Sequence, residues 1–255
     1  PPPPVFFFTH KRPTAMLRSL VGSEMCIRDR FMSARLSLTP TRFLLPAGGT
    51  SGSDSMREAI KSARAGDCIV YPTTTQPALG CVPTPESLDK LYALKERDHG
   101  IPVSIGVANL EQAEALVEIP DMLRNLLDDF PRGSLTVVLK AHETLDTRLG
   151  GDGVAIRVVS HPEAISLLNT VGPLTATSAN RSGVAPVADC EEAARSLSSG
   201  EKEIAFVSGA CPGGLPSTLI AWYSVCGSTQ LRDTEVLREG VVPSEEVRSW
   251  LRRQT

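Results

Sequence analysis

Five short segments of this chain hold residue types that grip anions and small polar molecules. Lys95-Glu96-Arg97 sets two cations two positions apart. Side chains at that spacing do not share a helix face, so they converge only where the chain unwinds. Converged, they would suit a triphosphate, because a guanidinium forks onto phosphate oxygens and an ammonium adds a point charge. The plainer reading is a pair of basic residues favoured by a helix C-terminus. Thr175-Ala176-Thr177-Ser178-Ala179-Asn180-Arg181-Ser182-Gly183 leaves an apolar run. Ser178 and Asn180 stand at the period of two that puts both on one side of an extended chain. Small polar residues at a strand end are where α/β folds place ligands, although Ser, Asn and Gly also make ordinary turns. Arg157 interrupts the apolar run Val154 to Val159, where an arginine either points to solvent or is buried against an anion. Thr73-Thr74-Thr75 after Pro72, and Arg238-Glu239-Gly240, put further hydroxyls and a cation at strand ends.

Other chemistries are excluded by their missing motifs. The chain has no G-x-x-x-x-G-K-[ST] and no H-E-x-x-H, and Gly150-Gly151-Asp152-Gly153 is not a dinucleotide fingerprint. His10, His99, His142 and His161 lack metal-ligand spacing, so no metal site is expected. His161, just ahead of Pro162, reads as a loop or N-cap hydrogen-bonder rather than a base. The cysteines Cys26, Cys68, Cys81, Cys190, Cys211 and Cys226 form no C-x-x-C, which points to reduced, mostly buried thiols rather than zinc or a disulfide framework.

The elements that must position these residues alternate along the chain. Met56, Ala59, Ile60 and Ala63 recur at helical spacing, and Gly66 stops them. Cys68-Ile69-Val70-Tyr71 reads as a short strand. Thr84-Pro85 gives an N-cap and a first-turn proline to a helix running to Lys95, with Leu88, Leu91 and Tyr92 inside. Val103 to Ala108 reads as a strand, followed by a helix capped at Asn109. Further strands are expected over 135–139, 154–159, 174–177, 204–208, 217–222 and 235–237, with helices over 162–171 and 190–197. Pro243-Ser244 opens a last helix with Val247, Trp250 and Leu251 on one face. Such alternation implies one α/β domain over residues 54–255, its sheet covered on at least one face.

The chain has 255 residues with 41% hydrophobic and 22% charged content, which excludes collagen-like, coiled-coil and wholly disordered classes. No apolar run approaches the ~18–20 residues of a membrane helix, so a soluble chain with no membrane partner is expected. Residues 1–53 hold seven of the 26 basic groups but two of the 29 acidic ones, leaving an acidic body poorly suited to long nucleic-acid surfaces. Pro1 to Arg30 lacks periodicity, and Leu17 to Arg30 looks like translated cDNA-library adapter, with Met32 as the natural start. The Arg/Ser/Thr-rich stretch after Met32 would suit an organelle transit peptide, but it is short. Residues 1–53 are therefore read as an untidy, disordered leader.

The order of motifs across Asp54 to Trp250 resembles the YrdC-like threonylcarbamoyl-AMP synthases. Tyr71-Pro72-Thr73-Thr74-Thr75 is similar to Y-P-T-E-T, Lys95-Glu96-Arg97 to K-x-R, and Val154-Ala155-Ile156-Arg157-Val158 with His161-Pro162 to V-A-V-R-x-P-x-H-P. Thr177-Ser178-Ala179-Asn180-Arg181-Ser182-Gly183 matches T-S-A-N-x-S-G and is the most specific block. Pro216-Ser217-Thr218-Leu219-Ile220 resembles P-S-T-V-V, and Leu237-Arg238-Glu239-Gly240 the closing L-R-x-G. The sequence also departs from that pattern. Thr74 replaces the acid, Gln76-Pro77-Ala78 replaces Val-Tyr-Gly, Asp98 follows Arg97 where proline is usual, and Phe130-Pro131-Arg132-Gly133-Ser134-Leu135-Thr136 differs from W-P-G-P-x-T.

The resemblance implies a single domain of the short form, with a twisted mixed sheet, flanking helices and a concave ligand-binding surface. It implies synthesis of threonylcarbamoyl-AMP and pyrophosphate from L-threonine, bicarbonate and ATP with Mg²⁺, for the threonylcarbamoyladenosine modification of tRNA. By the same carry-over Lys95, Arg97, Ser178 and Asn180 are catalytic and bind ATP together with Pro186 and Arg238. Thr75, Arg157 and Thr177 hold threonine. Hand-over of the adenylate to the tRNA-modifying transferase, weak RNA binding and a cytoplasmic location are expected, with organelle import if the segment after Met32 is real. The alternative reading is a non-catalytic relative that binds RNA or assists ribosome assembly.

Overall fold

Helix α1 (Gly52–Arg64) starts two residues ahead of the expected boundary and buries Ser55, Ala59 and Ala63. It is the first element of the computed structural model, which describes residues 52–198 and 203–254. Apart from Gly52 and Ser53, the expected leader over 1–53 lies outside the described residues. β1 (Ile69–Tyr71) and β2 (Ala78–Gly80) pair antiparallel, with Ile69 opposite Gly80 and Tyr71 opposite Ala78. β2 has no counterpart in the sequence reading, because three residues after Gln76-Pro77 offer too little alternation to mark a strand. Helix α2 (Pro85–Lys95) begins as expected, with the Thr84 side chain accepting the Ser87 N–H and proline in the first turn.

β3 (Ile105–Val107) leads into the one-turn helix α3 (Leu110–Ala113), capped by the Asn109 side chain. Helix α4 (Asp121–Asp129), left unassigned above, buries Leu123 and Leu126. β4 (Leu135–Lys140), β5 (Gly153–Val158) and helix α5 (Pro162–Val171) follow. His161 takes the N-cap position of α5 but makes no capping bond with its side chain. Its Nδ1 is buried without a hydrogen-bond partner, and desolvation holds its pKa below the usual histidine range. The chain closes with β6 (Leu174–Thr175), β7 (Thr177–Ser178), α6 (Cys190–Leu197), β8 (Ala205–Phe206), β9 (Thr218–Ala221), β10 (Glu235–Arg238) and α7 (Ser244–Gln254).

These strands form two sheets. A six-stranded sheet runs β10-β9-β4-β5-β3-β6 and a four-stranded one runs β7-β2-β1-β8, both mixing parallel and antiparallel pairs. The run expected as one strand over 174–177 is divided between them, β6 pairing with β3 and β7 with β2. At the crossing, Ala176 N–H donates to the Ser104 carbonyl at 2.7 Å and the Ser104 hydroxyl returns a bond to the Ala176 carbonyl at 2.6 Å. The main core takes Leu135, Val137, Leu139, Val154 and Ile156 from one face of the larger sheet, with Trp222 and Trp250. Alternation then turns Thr136, Ala155 and Arg157 to the other face. No helix among the described residues is long and apolar enough to cross a membrane.

β10 must approach the segment before β9 closely to complete this sheet. Gly240 donates its N–H to Thr218 Oγ1 at 3.0 Å, and a Cβ there would overlap the Pro216 carbonyl and the Ser217 backbone. Gly240→Ala should therefore cost about 1–3 kcal/mol, as overpacking does, and lower the thermal midpoint by several degrees in calorimetry.

Candidate functional site

Between the two sheets lies an open cleft of about 660 Å³, its mouth included. One transverse row of the larger sheet supplies its floor. Arg238 stands opposite Leu219, Leu219 opposite Thr136, and Arg157 opposite Gly106. Period-two alternation sends Arg238, Leu219, Thr136 and Arg157 to the same face, and all four line the cleft. The smaller sheet contributes Ala78, Thr177 and Ser178, and the loops add Thr75, Gln76, Arg97, Ser104 and Ser217.

Arg157 is the dominant charge in this space. It is 7% exposed, and among the described residues it forms no ion pair with a carboxylate. Its Nε and Nη2 donate to the Gly133 carbonyl at 3.1 and 2.9 Å, and Nη2 also donates to Thr75 Oγ1 at 2.9 Å. Burial, opposed by the Tyr71 hydroxyl and reinforced by Arg238, lowers its pKa to about 10, so it stays cationic at neutral pH. Gly133 offers its carbonyl from a backbone with φ of 76°, which favours glycine. Arg97 likewise rests on neutral oxygens, bonding the carbonyls of Ile101 at 3.0 Å and Pro102 at 3.2 Å beside the Tyr92 hydroxyl. A buried charge is costly unless compensated, and a guanidinium satisfied on neutral oxygens keeps its net charge for an arriving anion. Arg238 donates to the Ser217 carbonyl at 2.9 Å, while Ser217 Oγ and Thr136 Oγ1 share a 2.7 Å hydrogen bond on the floor.

The expected unwinding at the end of α2 is present. Glu96 is the only non-glycine with positive φ among the described residues, at 52°. This left-handed turn ends the helix and lets Arg97 enter the cleft wall. Lys95 takes another direction. It is 1% exposed, and its Nζ donates to the carbonyls of Ser178 and Asn180, so in this conformation it braces the turn beside the cleft. Asn180 also departs from the extended geometry. Its N–H bonds back to the Ser178 carbonyl at 3.0 Å, and its Nδ2 reaches the carbonyls of Arg181 and Val184. Of the sequence-marked residues, Thr75, Arg97, Arg157, Thr177, Ser178 and Arg238 therefore meet on the cleft. Lys95 and Asn180 stand behind its wall, and Pro186 lies on an exposed segment outside it. Ser104, Thr136 and the Gly133 carbonyl were not singled out from sequence. Only their place on the sheet row and at the sheet crossing marks them.

Among the described residues no group of three or more His, Cys, Asp or Glu is placed to hold a metal ion. The family model Sua5_yciO_yrdC, described as telomere recombination, matches residues 61–240. A threonylcarbamoyl-AMP synthase of Vibrio parahaemolyticus is 30% identical over 168 residues, 63% of this chain and 89% of that protein. A putative threonylcarbamoyl-AMP synthase of Mycobacterium tuberculosis is 35% identical over 143 residues, 54% of this chain and 66% of that protein. Among solved structures, P. abyssi Sua5 complexed with L-threonine superposes with a TM-score of 0.67 at 28% identity, covering 79% of this chain and 58% of that one. E. coli YciO superposes with a TM-score of 0.61 at 24% identity, covering 74% of this chain and 90% of its own, a likeness of fold.

A cleft with two guanidiniums satisfied on neutral oxygens should be stabilised by a polyanion. Inorganic pyrophosphate at about 100 times its Kd should add about 2.7 kcal/mol, read as a raised thermal midpoint that falls with added salt. Arg97→Gln should abolish the rise.

Proposed function

The chain belongs to the Sua5/YciO/YrdC family, and from that membership we propose that it is a threonylcarbamoyl-AMP synthase. L-Threonine is carboxylated on nitrogen by bicarbonate, with loss of water. A carboxylate oxygen of the product attacks the α-phosphate of ATP and pyrophosphate leaves, so the protein acts as a nucleotidyltransferase in the threonylcarbamoyladenosine modification of tRNA. The observation that carries this reading is the buried Arg157, cationic and, among the described residues, bonded to neutral oxygens inside a cleft lined by hydroxyls.

Arg157 pairs with the threonine carboxylate, and Thr75 and Thr177 flank the amino acid. Arg97, Ser178 and Arg238 meet the nucleotide, with Arg97 set to offset charge that builds on the phosphates during transfer. Lys95 and Asn180 support this side by fixing the turn that presents Ser178. Magnesium would accompany ATP and offset phosphate charge there; among the described residues the cleft lining offers it hydroxyls and carbonyls but no carboxylate. No side chain serves as a covalent nucleophile. The unstable adenylate passes to a tRNA-modifying transferase, and the working compartment is the cytoplasm. The domain proper begins with α1.

A non-catalytic RNA-binding role would need cations spread over a surface. Here outer cations such as Lys90, Arg124, Lys140 and Arg195 are engaged with carboxylates. Pyrophosphate release by the purified chain should require ATP, Mg²⁺, L-threonine and bicarbonate together. Arg157→Lys loses the forked contact, a charged hydrogen bond of about 1.5–3 kcal/mol, and should lower kcat/KM for L-threonine on the order of 10–100-fold. Release that is independent of threonine, or salt-dependent RNA binding without release, would overturn the proposal.

A further inference from the structure

The loop that carries Thr75 owes its shape to a sulfur. Cys211 is 7% exposed, and its Sγ accepts the buried Thr73 N–H at 3.2 Å. Thr73 Oγ1 in turn accepts the Thr75 N–H at 3.2 Å and donates to the Gln76 carbonyl at 2.7 Å, closing a tight polar turn. Thr75 Oγ1 then meets Arg157 Nη2 at 2.9 Å. The same stretch holds the loop again further on, where Gly213 N–H donates to the Thr75 carbonyl at 2.7 Å. An unbroken chain of bonds thus runs from Cys211 through Thr73 and Thr75 to the guanidinium in the cleft.

Cys211 is itself fixed. Its N–H donates to the Ala188 carbonyl at 2.8 Å, and Cys190 N–H to the Gly209 carbonyl at 3.0 Å. These bonds flank the antiparallel bridge of Asp189 with Ala210, which puts Cys190 and Cys211 on one face as diagonal neighbours. The Cys190 thiol first, then the Thr73 N–H and the Arg157 charge, favour negative charge on the Cys211 sulfur against the effect of burial. Cys190 is pushed the other way. The Cys211 sulfur serves as the acceptor of the Thr73 N–H.

We propose that Cys211 is a positioning residue for the amino-acid side of the cleft, acting through the Thr73 amide. The identity of that amino acid as threonine rests on the synthase reading. The role is that of an acceptor rather than a filler of space, and two variants of the full chain separate these. Cys211→Val keeps the site filled, with a slightly larger side chain, and removes the acceptor, whereas Cys211→Ser keeps an acceptor and loses volume. Cys190→Ala leaves the Cys211 sulfur in place.

Hydrogen exchange in the ligand-free protein reads the hold on residues 73–76 without any substrate. Exchange there should speed up about three- to tenfold in Cys211→Val, the size of one buried hydrogen bond, and stay within about twofold of wild type in Cys211→Ser and Cys190→Ala. In pyrophosphate release, Cys211→Val should raise KM for L-threonine by a similar factor while KM for ATP moves less than about twofold. Unchanged exchange in Cys211→Val, equal shifts in both KM values, or a Ser variant as poor as Val would each overturn the proposal. Should Cys211→Val not fold, Cys211→Ser decides alone, a raised threonine KM counting against the acceptor role. A wild-type chain that ignores threonine would sink the synthase reading, while the exchange data would still decide what Cys211 does.

Discussion

The buried Arg157 guanidinium sets the terms for the rest of the molecule. A strand interior is a poor place for a charge, because desolvation penalises the ionised form. This fold keeps the charge without neutralising it. Gly133 presents its carbonyl to two of the guanidinium nitrogens and Thr75 presents a hydroxyl, so hydrogen bonding is met while the net charge stays available. Three loops must agree for that to hold: the one after β1 that carries Thr75, the one before β4 that carries Gly133, and the stretch from Cys211 to Ser217. Their mutual bonds join the two sheets along the wall of the cleft.

The division into two sheets is what creates space above Arg157. Had the run from Leu174 onward continued as one strand, β7 would have extended the larger sheet. Instead the chain changes sheet at Ala176, and Ser178 arrives at the cleft from the other side. The turn that follows is braced from below by Lys95, whose ammonium holds the carbonyls of Ser178 and Asn180. Glu96 then reverses the local handedness and frees Arg97 to face the ligand side. A residue held at positive φ without being glycine carries a conformational cost, and here it separates two neighbouring cations into a structural and a ligand-facing role.

Much of this was legible in the sequence because it rests on local rules. The Thr84-Pro85 cap, the apolar period of α1 and the apolar runs of β4 and β5 follow from propensity and periodicity, and the elements appear where those signals stand. Helical spacing showed that Lys95 and Arg97 could converge only if the chain unwound between them; it does unwind, but Lys95 turns to the Ser178 and Asn180 carbonyls and the two cations part. What sequence could not show are the consequences of tertiary bonding. Ser178 and Asn180 keep the period of two, but Asn180 turns back because its amide finds nearby carbonyls. Thr136 lies inside ordinary strand sequence and gains its role from the register across the sheet, while Ser104 gains its own from the bonds to Ala176 at the sheet crossing. Cys211 looked like one more buried thiol until the Thr73 amide was found against it.

The same logic explains how the altered loop can still serve an anion site. At position 74, where the Y-P-T-E-T pattern that the loop resembles has an acid, this chain has a threonine whose hydroxyl reaches the Arg132 carbonyl at 3.4 Å. Arg157 bonds the very next residue, Gly133. A carboxylate at 74 would therefore lie close to the guanidinium and draw on its charge, since opposite charges inside a cleft interact more strongly than in water. With threonine there, the loop keeps its bond to the 130–133 segment through a neutral group, and Arg157 retains its full charge for the ligand. The departure moves electrostatic compensation from the protein to the substrate, which favours a bound carboxylate over an empty cleft.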